Sequence, residues 1–182
     1  MEMKERAIEA AQLFDRLMID LIIGTRSLEI FEAFNRNKQL LAVTYHGMRR
    51  MAYSHIILSL NKYLELYQAY HDVIPASCRK ECKRLMKIIE SKPIEEFRHK
   101  YVGHLLDKKT KRPLSVTELE NIIPRIYGED ETIFLHWVNK RGRKYPETVV
   151  SILQKTRDEI MQDNAISKEE FDQWKDLGHS DA

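Results

Sequence analysis

Two long runs of apolar residues at three-and-four spacing, separated by only a few polar residues, constrain this chain more than any other feature. From near Glu2 to about Phe34, Ala7, Ala11, Phe14, Met18, Leu21 and Leu28 recur in the rhythm of one buried helical stripe. From about Gln39 to Tyr70, Leu41, Tyr45, Met48, Ala52, His55 with Ile56, Ser59, Tyr63 and Leu66 repeat that rhythm. Asn35-Arg36-Asn37-Lys38 reads as the turn between them. At 1.5 Å per residue each run makes a helix about 45 Å long, and two such helices joined by a short turn pack antiparallel as half of a bundle. Gly24, inside the first run, either bends it or admits a close neighbour.

The remainder continues in helical segments. His71 to Pro75 ends the second helix, and Ser77 is placed to cap a third, Cys78 to about Glu90, with Leu85, Met86 and Ile89 inward. Ser91-Lys92-Pro93 breaks it. Because proline is favoured at the first helical position, a fourth helix is expected near Pro93, carrying Ile94, Phe97, Tyr101, Val102 and Leu105. After a basic loop from Asp107 to Pro113, Ser115-Val116-Thr117-Glu118 is a capping box opening a helix that Pro124 ends or kinks. Helices from Asp130 to about Lys140 and from Pro146 to about Gln162 are expected as satellites, flanking a basic turn from Arg141 to Lys144. Ser167-Lys168-Glu169-Glu170, a second capping box, leads a last turn with Phe171 and Trp174.

With six Gly and five Pro in 182 residues and no strand-like alternation, the expected fold class is all-α. The reading is an up-and-down four-helix bundle with additional short C-terminal helices, one domain over 1–164, and a tail over 165–182 that carries a short docked helix. The charged N-terminal stretch, broken by Glu9, Asp15 and Asp20, is neither a signal peptide nor a membrane span. Cys78 and Cys82 sit four apart without a second pair at zinc-ligand spacing, so no metal is expected. Adjacent helical turns do not form a disulfide easily, which makes both reduced thiols of a cytoplasmic protein. No Gly-rich phosphate loop, Ser/His/Asp set or paired-carboxylate site is visible, and no cofactor is expected.

The total charge of +2 hides an asymmetry. From Arg79 to Arg112 twelve basic residues face five acidic ones, a net +7, leaving −5 for the rest of the chain. Within that segment lies Arg98-His99-Lys100-Tyr101-Val102-Gly103-His104. On an ideal helix Arg98 and His104 stand about 120° apart and about 9 Å along the axis. They need not touch. The spacing suits a cleft reached from two sides, or two copies of the helix facing each other across a two-fold axis. Arg98 can grip a phosphate bidentately, and His104, with an ordinary pKa near 6.5, can move protons at neutral pH. RNA would supply its own nucleophile, the ribose 2′-OH, so no metal is needed. The bland reading is that Arg98 pairs with Glu95 or a loop carboxylate and that His104 caps or packs in the bundle.

This segment resembles the signature of the HEPN superfamily of helical nucleotide- and RNA-associated proteins: Arg, a polar residue (here His99), then a short spacer ending in His. The flanks Ile94-Glu95-Glu96-Phe97 and Leu105-Leu106-Asp107-Lys108, and His55 to Lys62 in the second helix, are similar to an abortive-infection-type subgroup. The resemblance covers roughly Gln39 to Leu114. It implies a HEPN-like four-helix bundle, a homodimer bringing two motifs together, and metal-independent endoribonuclease activity in a toxin or phage-defence role. It makes Arg98 and His104 catalytic and His99 supporting, and it allows an antitoxin or other protein partner; Lys100, Lys108 and Lys109 beside the motif are read as nucleic-acid-binding. Some toxin members carry a modifiable Tyr two residues after the motif His; here that position is Leu106. The alternative is a non-catalytic HEPN-like module binding nucleotide, RNA or protein. His46, His55, His71 and His136 read as packing or interface residues, while Tyr127, Trp137, Arg141, Arg143, Lys144 and Tyr145 mix aromatic and basic character as a nucleic-acid surface would.

Overall fold

The computed structural model describes residues 3–99, 116–140 and 148–177. Among them the chain is all-α, with helices α1 (Met3–Arg36), α2 (Ala42–Tyr70), α3 (Ala76–Glu90), α4 (Ile94–Phe97), α5 (Val116–Tyr127), α6 (Glu131–Val138), α7 (Val149–Asp163) and α8 (Lys168–Leu177). No described helix is long and apolar enough to cross a membrane.

α1 and α2 pair antiparallel, as their stripes require. Ala7, Ala11, Phe14, Leu21 and Leu28 are buried on α1, and Ala52, Ile56, Ser59, Tyr63 and Leu66 on α2. The second stripe is buried only in its later part. Leu41 is 75% exposed, Tyr45 and Met48 are half-buried, and no residue from 29 to 51 is buried. The far end of the hairpin therefore lacks the covering that periodicity alone suggests. The connection lies later than expected, over 37–41: α1 continues to Arg36, after which Gln39 N–H bonds Phe34 O at 3.0 Å and Lys38 N–H bonds Asn35 O at 2.9 Å. Those paired bonds form a Schellman ending, with Lys38 at φ 56° in the left-handed region usually given to glycine.

Gly24 admits a close neighbour. A Cβ built there would lie 2.6 Å from Ile56 Cγ1 and 3.3 Å from His55 Cδ2, both on α2. Glycine inside a helix costs about 1 kcal/mol relative to alanine, and overpacking a filled core costs about 1–3 kcal/mol. Since Ile56 is fully buried, the steric term is expected to win. Gly24→Ala should lower stability in urea unfolding by about 1 kcal/mol. In an Ile56→Ala background the same change should be neutral or stabilising.

α7 is a full member of the core rather than a satellite. It packs along α1 almost as extensively as α2 does, and it also meets α3. Val149, Ile152, Leu153, Thr156 and Ile160 are buried, so α1 is flanked by α2 and α7, and α3 closes the group. Polar contacts fix this arrangement: Arg157 Nη1 meets the buried carboxylate of Asp15 at 2.5 Å, Lys155 meets Glu81 at 3.1 Å, and Tyr63 O–H donates to Cys82 O at 2.9 Å. The expected start at Pro146 is replaced by Thr148, whose extended backbone and Oγ1, accepting from Ser151 N–H, cap the helix. Likewise Ser77 is not the cap of α3. That helix begins at Ala76, two residues earlier than expected and after Pro75, and the Ser77 hydroxyl donates to Glu159 on α7.

The second capping box forms as expected: Ser167 N–H donates to Glu170 at 2.8 Å and Glu170 N–H to Ser167 Oγ at 3.2 Å. α8 then docks on α1 through buried Phe171, whose carbonyl accepts from Gln12, and through Lys4 and Glu170 at 2.5 Å. Pro124 neither ends nor precedes a break, because α5 runs on to Tyr127 and stops at Gly128, φ 83°. Both cysteines are free thiols, buried between α3 and its neighbours. Burial pushes the Cys78 thiol up to about 11, and raises that of Cys82 as well. Because only the thiolate reacts, alkylation by iodoacetamide at pH 8 is expected to be slow in the native protein and fast in urea.

Candidate functional site

The segment carrying Arg98 is set by how α3 ends. Ser91 N–H bonds Lys87 O at 3.1 Å and Lys92 N–H bonds Ile89 O at 3.1 Å, after which Pro93 turns the chain and Phe97 N–H returns to Pro93 O at 3.1 Å. Ile94 and Phe97, 1% and 0% exposed, pin this first turn of α4 into the core. Arg98 and His99 follow on the solvent side, where the helix widens to π-type winding.

Arg98 Nη1 stands 3.1 Å from Glu65 Oε1 on α2, and the two side chains are 50% and 58% exposed. Glu65 Oε1 also accepts from Asn61 at 3.1 Å, and His99 Nε2 lies 3.4 Å from Glu95 Oε1. The carboxylate expected to compete for Arg98 is thus Glu65 rather than Glu95, which serves His99. An exposed pair of this kind contributes about 0–1 kcal/mol, so Arg98 can exchange Glu65 for a phosphate at little cost.

Beside this pair lies a cleft of about 310 Å³ lined by Asn61, Glu65, Gln68, Glu90, Lys92 and Arg98, among others. Lys92 is engaged elsewhere. Its ammonium donates to Ile126 O at 2.7 Å and lies 5.4 Å and 5.6 Å from the rings of Phe134 and Trp137, and burial lowers its pKa. Arg98 is then the exposed cation of a cleft that also holds Glu65, Glu90 and Glu95. Positive charge lies next door. Lys80, Lys83, Arg84 and Lys87 project from the exposed face of α3, opposite buried Cys78, Cys82, Leu85 and Ile89, and span about 10 Å along the axis.

His104, Lys100, Lys108 and Lys109 lie outside the described residues, as do Arg141, Arg143, Lys144 and Tyr145. Of the sequence-predicted site, the structure brings together Arg98 and His99, each with a carboxylate partner. Glu65 escaped the sequence reading; its i, i+4 relation to Asn61 was the available signal. Among the remaining histidines, His55 Nε2 sits 3.0 Å from the Asp20 backbone oxygen at the α1–α2 seam, and His71 Nδ1 lies 3.3 Å from Gln68 O. Trp137 packs on Phe134 with centroids 5.8 Å apart. Trp137 is half-buried against the core. Among the described residues, no three His, Cys, Asp or Glu side chains are grouped as metal ligands would be.

No family model matches the chain, and neither does any curated protein sequence. A solved structure does: the integron cassette protein Vpc_cass2, from the mobile metagenome of V. paracholerae. It is 21% identical, with a TM-score of 0.74 over 88% of this chain and 98% of that one. At that identity the likeness is one of fold, and the chain shares with that protein a single all-α architecture spanning nearly its whole length.

Proposed function

We propose that the protein is a metal-independent endoribonuclease of the HEPN type, acting in the cytoplasm in a toxin or phage-defence role, with a site composed across a homodimer. The observation that carries this reading is Arg98, exposed at the head of the motif segment and held, among the described residues, by a surface ion pair with Glu65 beside the basic face of α3. In the reaction the 2′-oxygen attacks phosphorus and the bond to the 5′-oxygen breaks. One His104 takes the 2′-OH proton, the second protonates the leaving 5′-oxygen, and Arg98 balances the charge on the phosphoryl oxygens. His99 and Lys100 position the strand, and Lys108 and Lys109 add phosphate contacts. Dimerisation is supported by apolar side chains left bare on α1, where Ile19, Ile23, Ile30 and Phe34 form one exposed stripe, and by Leu41, Val43 and Met51 on the hairpin end. The same surfaces suit an antitoxin or another protein partner.

The test is cleavage of labelled RNA in excess EDTA, with product ends and oligomeric state determined in parallel. Products ending in a 2′,3′-cyclic phosphate from a dimeric protein are expected. A second reading, a non-catalytic HEPN-like binding module, is favoured by the carboxylates of Glu65, Glu90 and Glu95 around Arg98, which oppose a polyanion. Salt-sensitive RNA binding without any cleavage product would select it.

A further inference from the structure

A second polar pocket lies on another face of α2. His46, Arg49, Arg50 and Tyr53, at i, i+3, i+4 and i+7, turn one side of the helix toward Pro124 and Tyr127 of α5 and enclose about 410 Å³. That volume falls within the range of small-ligand sites. It is separate from the Arg98 cleft, since Arg50 and Glu65 are fifteen residues apart on one helix, about 22 Å along its axis.

The pocket is lined by donors that the protein does not use. Tyr53 is 2% exposed and its hydroxyl lies beside the Glu131 carboxylate without a well-formed hydrogen bond, and the buried Nε of Arg50 has no hydrogen-bond partner among the described residues. Buried donors in folded proteins are nearly always matched with acceptors. Arg49 is held by two carboxylates, with Nη2 on Glu131 and Nε 3.7 Å from Glu32, and its guanidinium lies 5.5 Å from the Tyr53 ring centroid. Arg50 has no carboxylate partner among the described residues. Burial and the nearby Glu131 carboxylate raise the Tyr53 pKa, so this hydroxyl remains a donor at neutral pH. Across from the donors, Tyr127 stacks obliquely on Tyr53 with centroids 5.9 Å apart and offers, with Ile123 and Pro124, an apolar wall.

Unused N–H and O–H donors on one side and an aromatic, apolar wall on the other fit a ligand with an oxyanion head and a flat organic body. We propose that this pocket binds a phosphate monoester, its oxygens accepting from Arg50 and the Tyr53 hydroxyl and its organic part lying against Tyr127. The same chemistry is offered by a free mononucleotide and by the 5′-phosphorylated end of an RNA.

The experiment is calorimetric titration of the full chain with adenosine 5′-monophosphate and adenosine, and with an oligoribonucleotide bearing either a 5′-phosphate or a 5′-hydroxyl. The phosphorylated member of at least one pair is expected to bind about tenfold or more tightly than its unphosphorylated partner, the scale of a lost charge-assisted contact. Preference for the mononucleotide identifies a small-molecule ligand, and preference for the oligomer identifies an RNA end; either supports the site. Arg50→Gln should remove that preference, whereas Arg98→Ala should leave it intact, so failure here is distinguishable from failure of the ribonuclease reading. Tyr53→Phe removes a hydroxyl that lacks a well-formed hydrogen bond and should weaken binding while lowering the melting temperature little. Equal affinity for both members of both pairs, or loss of the preference in Arg98→Ala but not in Arg50→Gln, would overturn the proposal.

Discussion

His104→Ala and Arg98→Ala are each expected to abolish detectable RNA cleavage while leaving fold and dimer unchanged. A positioned general acid–base contributes about 10²–10⁴-fold to rate, and a donor aimed at a developing oxyanion about 10²–10³-fold. Arg98 is the sharper test of the two, because its structural role can be bounded. Its side chain is half exposed, and its described partner is an equally exposed carboxylate. Truncating it therefore costs about 1 kcal/mol of stability at most, far too little to explain a loss of three orders of magnitude in rate. Arg98→Lys separates charge from geometry. Lysine keeps the positive charge but loses the bidentate fork, so it should retain binding and lose most of the turnover. The measurement is the single-turnover rate on a 5′-labelled RNA in EDTA, with circular dichroism and sedimentation on the same samples. Cleavage by both alanine variants at the native rate would remove the ribonuclease reading altogether.

How much of this was legible in the sequence differs along the chain for physical reasons. The α1–α2 pair was readable because burial of one helical face imposes a period: Phe14, Leu21, Ile56 and Tyr63 are buried as that period requires, whereas Leu41, Tyr45 and Met48 at the hairpin end are not. The role of α7 was not readable. Its apolar residues Val149, Ile152, Leu153 and Ile160 mark an amphipathic helix, but periodicity does not say which groove that helix fills. Helix ends were read through Gly, Ser and Pro, and this failed where the backbone imposes the ending without them. Lys38 and Ala165 both adopt the left-handed conformation that glycine usually provides, and Ala165 N–H and Ile166 N–H close the end of α7 with the same paired bonds seen after α1. In the candidate site, Arg98 and His99 were visible as a motif, whereas Glu65 and the Arg49–Arg50–Tyr53 pocket depend on which sides of α2 meet α4 and α5. That is a tertiary fact with only an i, i+4 trace in the sequence.

The position of Arg98 depends on its neighbour inside the core, so Phe97→Ala is expected to combine the largest loss of stability with a loss of function. Phe97 is fully buried, and it and Ile94 are the two side chains that pin α4. Truncating a buried phenylalanine costs about 3–5 kcal/mol through lost burial and the cavity left behind. In a chain of this length that corresponds to a melting temperature lower by about 10 °C. The functional consequence is separable from the thermodynamic one. Arg98 projects from the residue after the anchor, so when the first turn of α4 loosens, Arg98 and Glu65 lose their 3.1 Å register even in molecules that remain folded. Activity per folded molecule, measured well below the transition, should therefore fall in Phe97→Ala. In Phe97→Leu, which keeps most of the apolar volume, both stability and activity should largely return. A Phe97→Ala protein that is destabilised yet fully active per folded molecule would show that α4 does not position the site, and that Arg98 finds its substrate geometry only when RNA or a second subunit supplies it.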